Sequence, residues 1–262
     1  MKYIYFFLFF SLCLSVAAES ASGNANFFFT KINGETGLSQ VNVKSIIQDS
    51  YGFMWFGTRN RLNRYDGTRI KIFDCYDLVQ RNGNNNISVL FEDDEKNIWV
   101  GTDKGIYIFD PIYETFTQFN YSTSDNIKIT DWVSDIQKDL DNNIWIVIPN
   151  EGVFRYNLII KRLFHYPIGN TMISGNPQCM CIEKNGTVWV GSNGGGVYQY
   201  NKSSDSFIRF LGNKNGHSLE GENIYTMCDY GEELVLGIHE GRLRKFNKRK
   251  NTTIDVNAPE VH

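Results

Sequence analysis

A chain of 262 residues, 42% hydrophobic and 15% aromatic, carries ample material for a folded core. At this size roughly 75% of the surface exposed by the unfolded form is buried on folding. The formal net charge of −3 gives no electrostatic case for nucleic acid as a partner of this chain. The late basic cluster (Arg242, Arg244, Lys245, Lys248, Arg249, Lys250) follows the acids Glu222, Asp229, Glu232 and Glu233 and reads as a solvated edge.

Residues 1–18 read as a signal peptide. Lys2 is a minimal positive start, residues 3–14 are apolar, and Ser15-Val16-Ala17-Ala18 supplies the small residues of a cleavage site. The apolar run is short for a spanning helix, so it predicts export to the periplasm. Residues 19–262 then form one repeat domain. Ahead of the first repeat, residues 27–32 (Phe-Phe-Phe-Thr-Lys-Ile) read as an orphan strand. Such a strand is expected to complete the last repeat as its outer strand and remove an open edge.

From there one pattern recurs. Phe53-Met54-Trp55-Phe56-Gly57-Thr58, Asn97-Ile98-Trp99-Val100-Gly101-Thr102, Asn143-Ile144-Trp145-Ile146-Val147 and Thr187-Val188-Trp189-Val190-Gly191-Ser192 are copies of one stretch. Glu233-Leu234-Val235-Leu236-Gly237-Ile238 is a worn fifth copy, with Val235 at the Trp position. The marker positions lie 44, 46, 44 and 46 residues apart. A fixed period of that size means a repeat architecture. Six residues ahead of each marker stands an acid: Asp49, Asp93, Asp139, Glu183 and Asp229. Turn residues flank each marker stretch, and an aromatic closes the next run at Tyr65, Phe109, Tyr156, Tyr200 and Phe246.

Each repeat therefore predicts four short strands, in the first copy 43–49, 54–58, 62–65 and 70–73. Four antiparallel strands in about 45 residues make one propeller blade. The prediction is an all-β fold, a β-propeller with blades near 41–76, 86–120, 132–166, 176–211 and 223–256. Five repeats leave open whether the ring closes. Trp55, Trp99, Trp145 and Trp189 are assigned to the core between blades. The five acids are assigned to strand ends, where a carboxylate accepts backbone N–H bonds. One equivalent carboxylate per blade points to a scaffold role, because catalysis would single out one or two.

No cofactor and no metal site is predicted. The four His are scattered, and the Cys spacing matches no metal pattern. Cys75, Cys179, Cys181 and Cys228 remain after export and are read as buried free thiols. Cys181 and Cys228 fall at neighbouring positions of successive inner strands, which keeps their pairing an open alternative.

Gly37-Leu38-Ser39-Gln40-Val41, the acid Asp49, Gly52-Phe53-Met54-Trp55-Phe56-Gly57-Thr58 and Leu62-Asn63-Arg64-Tyr65-Asp66-Gly67 together resemble the two-component regulator propeller repeat. That repeat builds the periplasmic sensor region of hybrid two-component systems of Bacteroidetes. The resemblance covers residues 27 to about 256. It implies an oligosaccharide ligand from polysaccharide breakdown and phosphorelay signalling through further sensor and histidine kinase domains, which this sequence does not show. Departures are Arg61 and Arg242 at turn positions the family gives to Gly, Val147 after the third Trp, and the missing fifth Trp.

Function is expected in the links between blades and the turns between the second and third strands, which gather on one face. Trp132 precedes its blade where the other repeats have Asn42, Asn86, Asn176 and Glu222. An aromatic among amides suits a sugar ring, with its apolar face and its hydroxyls. Arg59, Arg61, His239 and Arg242 lie in the turns and suit an acidic sugar. The expected function is glycan sensing, without catalysis by this chain. The alternatives are a free-standing propeller scaffold, a homodimer included, and a propeller lyase or glycosidase.

Overall fold

Alternating β-branched and aromatic residues bounded by turn residues leave each repeat with one way to fold, as a meander of four antiparallel strands. The computed structural model describes residues 31–169, 173–212 and 218–256. The expected signal peptide, residues 1–18, and most of the strand expected at 27–32 lie outside the described residues. Blade 1 comprises β1 (Val43–Gln48), β2 (Met54–Thr58), β3 (Leu62–Tyr65) and β4 (Ile70–Phe73). A small hairpin follows, β5 (Tyr76–Asp77) with β6 (Asn82–Gly83). Blade 2 is β7 (Ile87–Glu92), β8 (Ile98–Thr102), β9 (Gly105–Asp110) and β10 (Thr115–Gln118). Blade 3 is β11 (Asp135–Lys138), β12 (Asn143–Ile148), β13 (Gly152–Asn157) and β14 (Arg162–Pro167). Blade 4 is β15 (Asn176–Ile182), β16 (Val188–Asn193), β17 (Gly196–Asn201) and β18 (Ser206–Phe210). Blade 5 is β19 (Ile224–Tyr230), β20 (Glu233–Ile238), β21 (Leu243–Asn247) and β22 (Thr252–Val256). The outer place in blade 5, expected for residues 27–32, is thus filled by β22.

The markers are buried, and each indole is tied to its acid. Nε1 donates to a carboxylate oxygen from Trp55 to Asp49 at 2.7 Å, Trp99 to Asp93 at 2.8 Å, Trp145 to Asp139 at 2.7 Å and Trp189 to Glu183 at 2.5 Å. The second oxygen of each Asp accepts backbone N–H groups of the turn, from Phe53, Asn97 and Asn143 respectively. The expected backbone bonding is present, and the bond to the indole adds to it.

Each indole packs on the next blade. Trp55 clusters with Ile87, Leu90 and Phe109, and Trp99 with Val133, Ile136 and Tyr156. Trp145 clusters with Met180, Val188 and Tyr198, and Trp189 with Ile224, Met227 and Phe246. The glycine two residues after the marker allows this approach. A Cβ built on Gly57 would lie 2.7 Å from Ile87 Cγ2, and one on Gly191 would lie 2.6 Å from Met227 Cε. Inner strands of successive blades lie side by side, β1 with β7, β7 with β11, β11 with β15 and β15 with β19. No strand of blade 5 packs on blade 1 in this way among the described residues.

Two sequence assignments change. Asp229 pairs opposite Leu234 within the sheet, and Tyr230 stands where the other blades have their acid, opposite Glu233. The turn of blade 5 is shorter, which shifts the register of its acid. With no indole to bind, Asp229 accepts from Lys248 Nζ at 2.8 Å, and the same ammonium lies 3.1 Å from Glu183. Cys228 is exposed rather than buried, whereas Cys75, Cys179 and Cys181 are buried, and all four are free thiols. Arg61 takes the left-handed conformation, φ 84°, that Gly105, Gly152 and Gly196 supply in other blades. Its guanidinium bonds Asp74 at 2.6 Å.

Replacing Trp99 by Phe keeps most of the packing but leaves a buried oxygen of Asp93 without its donor. The expected loss is about 1–3 kcal/mol of folding stability, read by urea denaturation. An unchanged midpoint would show that the indole–acid bond contributes nothing beyond packing.

Candidate ligand site at the inner mouth

The links that enter each inner strand meet the turn after each marker strand, as expected. Arg59 N–H donates to Asn42 O, Asp103 N–H to Asn86 O, and His239 N–H to Asn223 O. In blade 4, Asn193 pairs with Asn176. These bonds correct one assignment. The fifth counterpart of Trp132 is Asn223, so four amides and one indole ring the entrance. Glu222 instead bonds Arg242 at 3.2 Å and Arg244 at 3.1 Å.

A second ring of side chains comes from β-bulges. The inner strands slip register between Val43 and Ser45, Ile87 and Val89, Pro177 and Cys179, and Ile224 and Thr226. The extra residue in each is Lys44, Ser88, Gln178 or Tyr225, and Ser134 holds the matching place ahead of β11. A bulge breaks the alternation of faces and re-aims one side chain. Lys44, Ser88 and Ser134 thereby line the same cavity.

That cavity, about 440 Å³, lies among blades 1, 2 and 3 and is lined by Lys44, Arg59, Asn86, Ile87, Ser88, Asp103, Trp132 and Ser134. Trp132 is 42% exposed, so its ring is available to a ligand. Asn86 Nδ2 donates to Asp103 Oδ2 at 2.8 Å. The other oxygen, Asp103 Oδ1, is buried and has no hydrogen-bond partner. Lys44 and Arg59 are exposed and make no ion pair among the described residues. Two free cations face one carboxylate, and the hydroxyls of Ser88 and Ser134 donate to backbone carbonyls. The wall thus offers an aromatic face and net positive charge.

Of the residues singled out from sequence, Trp132, Asn86 and Arg59 come together here. The others do not. Asn42 is tied through its backbone to the turn at Arg59. Asn176 donates to Asn150 at 3.1 Å, Arg61 is held by Asp74, and Arg242 is neutralised by Glu222. His239 stands beside Tyr225, with ring centres 6.4 Å apart, in blade 5. Lys44, Asp103, Ser88 and Ser134 were not anticipated. The signal for three of them is the bulge, which sequence alternation hides.

A wider cavity of about 620 Å³ opens between blades 3 and 4 at the opposite ends of the strands. Its amides are already engaged: Asn157 bonds Asn143, which bonds Asp139, and Asn185 bonds Glu183. Arg155 Nε, buried and without a hydrogen-bond partner, also belongs to its lining. Among the described residues, no group of three or more His, Cys, Asp or Glu is placed to hold a metal.

The architecture is that of a β-propeller, with an open row of four-stranded blades. Residues 37–60 and 83–104 match the model of the two component regulator propeller family. A histidine kinase of Formosa agariphila is 42% identical over 66 residues, 25% of this chain and 4% of that protein. The extracellular domain assigned to a hybrid two component system of B. thetaiotaomicron superposes with a TM-score of 0.71, at 22% identity, over 86% of this chain and 31% of that one. A second extracellular domain from the same organism, assigned to a one component system, gives 0.71 at 21% identity over 87% and 33%. The chain spans about a third of these solved domains. No helix among the described residues is long and apolar enough to cross a membrane.

Beside the mouth, Asp135 carries a testable electrostatic load. Its carboxylate accepts Met180 N–H at 2.8 Å, across the boundary between blades 3 and 4. Burial pushes its pKa up from 3.8 to about 6. The folded state therefore binds this proton more tightly than the unfolded state. Stability from this group falls as pH rises from about 4 to about 6, then levels. Asp135→Asn keeps an acceptor and removes the charge. It is expected to flatten that window and to gain on the order of 1 kcal/mol above pH 6, read as urea midpoints across pH. A difference between wild type and Asp135→Asn that does not change between pH 4 and 6 contradicts the assignment.

Proposed function

We propose that this chain is the ligand-reading part of an exported sensor, and that the inner mouth of blades 1 to 3 holds an oligosaccharide. The carrying observation is the grouping of half-exposed Trp132 and the free cations Lys44 and Arg59 around one cavity. A sugar ring has an apolar face to lie on the indole and hydroxyls to donate to the amide oxygens of the entrance. Carboxylate-bearing sugars would in addition meet Lys44 and Arg59. The four amides of the entrance supply paired donors and acceptors to neighbouring rings.

Propellers of this kind occur in extracellular domains of two-component systems, which supports the sensor reading. Occupancy of the mouth would change how blades 1 to 3 sit against one another, and further domains would convert that into phosphorelay output. Residues 1–18, read as a signal peptide, support the export to the periplasm that this reading requires.

The test is calorimetric titration of the folded chain with a panel of neutral and uronate-containing oligosaccharides. At least one is expected to bind, and Trp132→Ala is expected to weaken it tenfold or more, about 1.4 kcal/mol. Arg59→Ala should weaken uronate-containing members selectively. Unchanged binding by Trp132→Ala removes the mouth as the site, and no binding by any member removes the glycan reading.

A further inference from the structure

The link from blade 1 to blade 2 carries the β5–β6 hairpin, the one two-stranded sheet among the described residues. Its turn is held by a buried carboxylate, because Asp77 Oδ1 accepts the N–H groups of Val79 at 2.8 Å and Gln80 at 2.9 Å. The other oxygen, Asp77 Oδ2, accepts Gln118 N–H of β10 at 2.7 Å. Asn82 Nδ2 donates to Gln118 Oε1 at 2.8 Å. These bonds dock the hairpin on the outer edge of blade 2.

An edge strand turns alternate backbone groups to its one partner and to the outside. Phe119 N–H donates to Ile106 O at 2.9 Å, so residues 115 and 117 also bond inward to β9, while Phe116 and Gln118 turn their backbone groups outward. Asp77 satisfies Gln118. The N–H and C=O of Phe116 have no partner among the described residues. They border a cavity of about 1040 Å³ between β10 and the hairpin.

The hairpin side of this cavity is apolar. Leu78 is 74% exposed and Val79 86% exposed at the turn. A hairpin that only covered a strand edge would carry polar or charged residues there, whereas exposed aliphatic residues on a well-held turn mark a contact surface. The lining carboxylates are already neutralised, Asp74 by Arg61 at 2.6 Å and Glu114 by Lys71 at 2.5 Å. Arg81 is exposed and makes no ion pair among the described residues. An unpaired stretch of backbone, an apolar wall and one free cation therefore meet in one groove.

We propose that this groove binds an extended segment of a partner protein that carries aliphatic side chains and an acidic residue. The segment adds a short strand to the edge of β10 at Phe116, lays its aliphatic side chains on Leu78 and Val79, and brings its carboxylate to Arg81. Main-chain bonds supply affinity in strand addition, and the flanking side chains supply the choice of segment. Charge complementarity with Arg81 makes that choice acidic. Asp77, by closing Gln118, limits the added strand to a few residues. The groove shares no residue with the mouth cavity, so the inference does not rest on the glycan reading.

The test is fluorescence anisotropy of the folded chain with dye-labelled, terminally blocked heptapeptides that alternate Val and Thr and carry one Asp. These are expected to bind, and counterparts with Lys in place of Asp to bind about tenfold more weakly. Arg81→Ala is expected to erase that difference. Leu78→Ser combined with Val79→Ser is expected to abolish binding of both series. All three positions are exposed, so the fold is retained and can be confirmed by circular dichroism. N-methylation of alternate peptide nitrogens can be made in two registers. One is expected to abolish binding and the other to leave it intact, as pairing through one edge of a strand requires. No binding by any of these peptides overturns the proposal. So does binding that survives the double variant, or binding that neither register of N-methylation affects. Sedimentation of the chain with phosphatidylglycerol and phosphatidylcholine vesicles, lost in the double variant while no peptide binds, would assign the hairpin to a lipid surface and also overturn it.

Discussion

The hydrogen bond from each marker indole to the acid six residues earlier sets the geometry on which the blades depend. It joins the turn between the first two strands to the side chain that fills the next interface. One carboxylate thereby fixes a hairpin and orients an inter-blade wedge. Burying a polar group is tolerated only when it is bonded, so the indole N–H and the carboxylate must be kept or lost together. Blade 5 shows the consequence. Without its Trp the acid has moved in register, Tyr230 occupies its place, and Asp229 joins Glu183 around Lys248. A cation now holds together two carboxylates of neighbouring blades, one of them already bonded to Trp189.

The fold was legible because its constraint is periodic. Strands, turns and blade boundaries repeat at the marker spacing, and the structure places the strands of the first copy at the expected residues. What periodicity could not carry was single-residue register. The shorter turn of blade 5 separates Asp229 in sequence from Tyr230 in space. A bonding pattern, rather than spacing, identifies Asn223 and not Glu222 as the amide of the fifth entrance. The site was partly legible for a related reason. Trp132 stood out because it breaks a run of amides at one place in the repeat. Lys44, Ser88 and Ser134 did not, because a bulge sends to the mouth residues that simple alternation assigns elsewhere.

The repeat also explains why binding chemistry gathers where it does. Positions between blades are held by packing, by the glycine notch and by the indole bond, and substitutions there carry a stability cost. Positions at the mouth are free of those demands and differ from blade to blade. The bulge places hold Lys44, Ser88, Ser134, Gln178 and Tyr225, five residues of which only two share a type. The turn places hold Arg59, Asp103, Pro149, Asn193 and His239. This variety on an invariant frame gives each sector of the mouth its own chemistry, and the cationic, aromatic sector falls among blades 1 to 3.

The same frame accounts for blade 5. Within the chain every forward face is closed by the blade that follows, so the apolar residues on it are buried. Blade 5 lacks the Trp, the largest wedge of the forward face, and its Gly237 makes room for Thr226 of the same sheet, whose Cγ2 would lie 2.6 Å from a Cβ there.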